Sequence, residues 1–148
     1  MNRIAHRFPK WFRWMTSTVL LLSLVTGVMW YVLGRWGDIE GEFGPEKHPW
    51  LATLTKLHGA GAFAALLSFG AILAAHVPAG WRTRRSRRSG ILLISLIATT
   101  TLTAYGLYYS GSQEFREILI VVHLASGLSL PVFLIVHIMQ SPRRKRAQ

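Results

Sequence analysis

The chain has 148 residues, 51% of them hydrophobic, with a net charge of +11 and no cysteine. The length predicts a single domain, and the missing cysteines exclude disulfides, iron–sulfur clusters, cysteine-ligated zinc and covalently attached c-type haem. The charge would suit nucleic acid, but the basic residues gather at the ends of four long apolar runs, where they orient a membrane protein, so no nucleic-acid partner is expected.

A membrane span needs ~20 mostly apolar residues. The first run predicts a helix over residues 11–36, centred on Val19-Leu20-Leu21-Leu22-Ser23-Leu24-Val25 and flanked by Trp11, Trp14, Trp30, Tyr31 and Trp36 as interfacial aromatics. It is too long for a signal-peptide core, and Gly34-Arg35-Trp36 is a poor cleavage site, so it is read as a retained helix. A loop rich in Gly, Pro and Glu follows at 37–49. The second span covers 50–77 and is expected to close at Pro78 and Gly80. An arginine-rich loop leads to the third span, 90–109. The short connection Ser110-Gly111-Ser112-Gln113 leads to the fourth, 115–139, where Pro131 is expected to introduce a kink. No sequence repeat is evident. The expected fold is all-α, an integral membrane four-helix bundle.

Thirteen basic residues and no acid fall on one side of these spans: Arg3, Arg7, Lys10 and Arg13, then Arg82, Arg84, Arg85, Arg87 and Arg88, then Arg143, Arg144, Lys145 and Arg146. The other side carries Arg35, Lys47, Lys56 and Arg116 with all six acids. The positive-inside rule then places both termini and the arginine loop in the cytoplasm, with membrane lipid around the spans.

No Asp or Glu lies well inside a span, which removes most support for ion-coupled transport. The spans do contain histidine: His58 and His76 on the second, His123 and His137 on the fourth. At ~100° per residue each pair leaves one face of its helix, ~27 Å and ~21 Å apart along the axis. Both helices run in the same direction. His58 therefore matches His123 near the outer surface, and His76 matches His137 near the inner one, with a mismatch in rise of ~6 Å. Two neutral imidazoles from facing helices supply the axial ligands of a haem iron. Gly61, Ala62, Ala65 and Ser68 on the second helix, and Ser126 and Gly127 on the fourth, leave room for a flat macrocycle on those faces. His48, beside Pro49 in the outer loop, is read as solvated.

Four helices, paired histidines and the 14-residue spacing of His123 and His137 resemble the small membrane cytochromes b, including cytochrome b(561)-type proteins and the cytochrome b subunits of formate dehydrogenases and hydrogenases. The stretches Leu57-His58-Gly59-Ala60, His76-Val77-Pro78-Ala79-Gly80-Trp81-Arg82, Leu102-Thr103-Ala104-Tyr105-Gly106-Leu107-Tyr108-Tyr109 and His123-Leu124-Ala125-Ser126-Gly127-Leu128 look like a proteobacterial branch of them. In the dehydrogenase-type subunits one inner ligand comes from the start of the first helix; Arg13 stands at that place here, which favours His76. The resemblance implies haem b, two groups per chain, and exchange of electrons with membrane quinone and a redox partner protein. Tyr105, Tyr108 and Tyr109 are candidates for a quinone site, but interfacial aromatics explain them better. The expected function is electron transfer through iron held by His58, His123, His76 and His137, with Gly127 beside the cofactor. The alternative is a non-redox membrane subunit or a metal carrier using the same histidines.

Overall fold

A computed structural model describes residues 8–83 and 86–140. Arg3, His6, Arg7, Arg84, Arg85 and the basic tail at 143–146 lie outside them. The fold is all-α: α1 is Lys10–Trp36, α2 Trp50–Thr83, α3 Arg87–Tyr109 and α4 Gln113–Gln140. Each helix is long and apolar enough to cross a membrane. Side-chain exposure runs opposite to that of a protein folded in water. Among the described residues the buried positions include the hydroxyl-bearing Thr26, Ser68, Thr103 and Ser126, while Leu67, Leu102, Val121 and Ile138 are exposed. Apolar surface on this scale is consistent with a multi-pass membrane protein.

The helices begin and end for identifiable reasons. Lys47 donates to the carbonyl of Gly34 at 3.2 Å and pairs with Asp38 at 2.7 Å, which places a cation on the carbonyl-rich end of α1. Between α1 and α2 the chain makes a short antiparallel hairpin, β1 (Ile39–Gly41) with β2 (Gly44–Glu46). Gly44 sits at φ +119°, a conformation that glycine adopts without strain, and Phe43 is exposed at the tip. His48 is not simply solvated: it is half-buried, and its Nδ1 accepts from the Trp50 N–H at 3.2 Å at the start of α2. Ser112 Oγ caps α4 by accepting from Phe115 N–H at 3.3 Å, and Arg116 donates to the Leu107 carbonyl in the last turn of α3.

The second helix does not stop where Pro78 led us to expect; it continues to Thr83. Proline removes one donor, leaving the Ala74 carbonyl without its intrahelical partner, and a long helix absorbs one such loss. Helix α4 likewise runs unbroken through Pro131, which has no N–H to offer the Gly127 carbonyl.

The chain forms two compact units, the first ending at His76 and the second beginning at Val77. The first holds α1, the β-hairpin and most of α2. The second is built on α3 packed against α4.

Candidate functional site

In the first unit, Gly27 creates the histidine niche. A Cβ added there would lie 2.8 Å from Cε1 and 3.1 Å from Nδ1 of His58, so the imidazole rests against bare backbone of α1. The ring Nδ1 lies 2.9 Å from the Ser23 carbonyl oxygen and 3.4 Å from Thr26 Oγ1. A carbonyl only accepts, so Nδ1 carries the proton and donates. One turn further along α2, Gly61 allows close approach of α1: a Cβ there would meet Ser23 Oγ at 2.7 Å. Trp30 Nε1 donates to Thr55 Oγ1 at 2.8 Å, a second tie between the helices.

The second unit repeats this arrangement. His123 Nδ1 lies 3.1 Å from the Thr100 carbonyl and 3.1 Å from Thr103 Oγ1. Ser23 and Thr26 are three residues apart on α1, and Thr100 and Thr103 are three apart on α3. The correspondence extends along the partner helices: Leu54-x-x-x-His58-x-x-Gly61 on α2 matches Leu119-x-x-x-His123-x-x-Ser126 on α4. Leu54 and Leu119 are both buried, as are Thr26 and Thr103. Where Gly61 packs on Ser23, Ser126 accepts from Thr100 Oγ1 at 2.9 Å and donates to the Val122 carbonyl at 2.8 Å. The same niche is thus built twice, once in each helical hairpin.

The equivalence fails towards the other helix ends. His137 Nδ1 is 2.9 Å from Ser89 Oγ, and its Cε1 would be 3.8 Å from a Cβ on Gly90. In register, Phe12 and Ile72 of the first unit stand where the second has Ser89 and His137. Phe12 instead lines a groove of about 320 Å³ with Met15, Val19, Ala64, Leu67 and Ser68. His76, the other expected inner residue, is exposed on α2. Gly127 follows buried Ser126 on α4, and a Cβ on it would touch Thr100 Cγ2 at 4.0 Å. Tyr105, Tyr108 and Tyr109 are exposed on α3, with the Tyr105 and Tyr109 rings 4.5 Å apart.

Sequence reasoning found the histidines but not what holds them. Ser23, Thr26, Ser89, Thr100 and Thr103 read as ordinary small residues of apolar helices. The available signal was the repeated spacing of two hydroxyl residues on one helix and Leu, His and a small residue on the next. Within neither unit do three His, Asp or Glu side chains gather as a metal site among the described residues.

No protein-family model, curated protein or solved structure matches the chain.

Proposed function

We propose that the protein is a b-type cytochrome of the bacterial inner membrane, with His58 and His123 as the axial ligands of one haem b. The observation that carries this reading is the duplicated niche: two histidines, each with Nδ1 turned to a backbone carbonyl and a threonine. Neutral imidazole held in this way is the form that ligates iron. The donor set fits haem better than a bare metal ion. A porphyrin supplies four of the six ligands, so two histidines suffice, whereas no cluster of three protein ligands is present among the described residues. Haem b bound there supplies a one-electron couple. The chain's own part is to orient the imidazoles and to surround them with apolar helices.

A second haem between His76 and His137 belongs to the same reading, as do exchange with quinone and with a redox partner protein, and a cytoplasmic location for both termini. His137 has the hydroxyl partner, Ser89, that this role calls for. The test is a reduced-minus-oxidised optical spectrum of the purified protein with haem stoichiometry. A low-spin b-type signal is expected, with His58→Ala and His123→Ala each reducing both signal and haem content. Purified protein that takes up no haem, or a His58→Ala variant that keeps full low-spin haem, would overturn it.

A further inference from the structure

We infer that Thr26 and Thr103 are positioning residues that, with the Ser23 and Thr100 carbonyls, hold the His58 and His123 imidazoles as Nδ1–H tautomers, so that Nε2 is the nitrogen each would present to the proposed iron. This rests on the haem reading above. The argument begins with the threonine protons. Thr103 Oγ1 donates to the Thr99 carbonyl at 2.8 Å, and Thr26 Oγ1 donates to the Leu22 carbonyl at 2.7 Å. A hydroxyl has one proton. Once that proton is committed to the helix backbone, the oxygen offers the ring only lone pairs. The Ser23 and Thr100 carbonyls offer lone pairs as well. Each Nδ1 therefore faces two acceptors, and an imidazole with its proton on Nε2 would set a third lone pair against them. Turning the ring over would place a carbon there and forfeit the bonds from Nδ1. The helical i−4 bond of threonine, usually a minor local feature, here makes the hydroxyl a second acceptor for a ring on another helix.

The consequence for ligation follows from the hydrogen bond. An imidazole that donates from Nδ1 is the more basic at Nε2, and loss of such a partner typically lowers metal affinity 10–100-fold. The backbone carbonyl survives a side-chain substitution, so the lower end of that range applies. The two sites also differ. Thr103 lies 3.1 Å from its ring and Thr26 lies 3.4 Å from its ring, so His123 depends on its threonine more than His58 does.

The experiment uses the full chain, with histidine nitrogens labelled, before and after addition of haemin. Before haemin, ring nitrogen chemical shifts at pH 8 should report Nδ1–H for both His58 and His123. Thr103→Val leaves Nδ1 of His123 one acceptor in place of two, so its nitrogen shift should move towards that of a more weakly bonded N–H, and Thr103→Ser, which keeps the hydroxyl, should restore the wild-type shift. With haemin, Thr103→Val should weaken binding about tenfold and raise the midpoint potential, because a less basic ligand stabilises ferric iron less. Thr26→Val should do the same to a smaller degree. Single Nδ1–H tautomers in a wild-type chain that binds no haemin would refute the cytochrome reading and leave the tautomer assignment intact. An unchanged Nδ1 shift, affinity and potential in Thr103→Val would refute the positioning role while the cytochrome reading stood.

Discussion

Gly27→Ala is the sharpest test of the His58 niche. Van der Waals contact between carbons sits near ~3.5 Å, and the new methyl would stand 2.8 Å from His58 Cε1. The ring must therefore move by about 0.7 Å. Its Nδ1 bond to Ser23 begins at 2.9 Å, so a shift of that size away from α1 carries it out of hydrogen-bond range. Losing the bond and depriving the Nδ1–H donor of its carbonyl costs ~1–3 kcal/mol. Alanine returns up to ~1 kcal/mol of helix propensity, which the control Gly70→Ala isolates, since nothing lies within 4 Å of a Cβ on Gly70. Gly27→Ala should thus be ~1–3 kcal/mol less stable than Gly70→Ala. Unfolding in detergent under a graded denaturant measures the gap, and the His58 nitrogen shifts report the broken bond. Equal stability of the two variants, with Nδ1 of His58 still donating, would refute the account of the niche.

Other outcomes follow from the same reading. A C-terminal alkaline phosphatase fusion should be inactive and a green fluorescent fusion bright; the reverse pattern would invert the assignment of inner and outer histidines. Haem analysis should return two groups per chain with two resolved potentials, one of them lost in His76→Ala or His137→Ala. A single haem untouched by either substitution would restrict the cofactor to the His58 and His123 level.

The four helices were legible because apolar runs of spanning length admit few other structures in lipid. Their ends were less so. Pro78 reads as a stop, yet a proline removes only one donor, and α2 extends to Thr83. The β-hairpin at 39–46 is too short for strand periodicity to reveal it. The candidate histidines stood out because ionisable residues are rare in spans. Their partners did not, since threonine in a membrane helix commonly bonds only its own backbone. Thr26 and Thr103 gain meaning only when a second helix brings an imidazole beside them. The repeat escaped notice for a related reason: it survives in the spacing of a few contact residues, while the lipid-facing positions between them differ freely.

A niche built twice in consecutive hairpins is also built twice independently. Each imidazole has its own carbonyl and its own threonine within its own hairpin, so a substitution in one half leaves the other's contacts intact. Phe12 and Ile72 in one half, against Ser89 and His137 in the other, mark where the two halves part: like niches sit in surroundings that can be tuned separately.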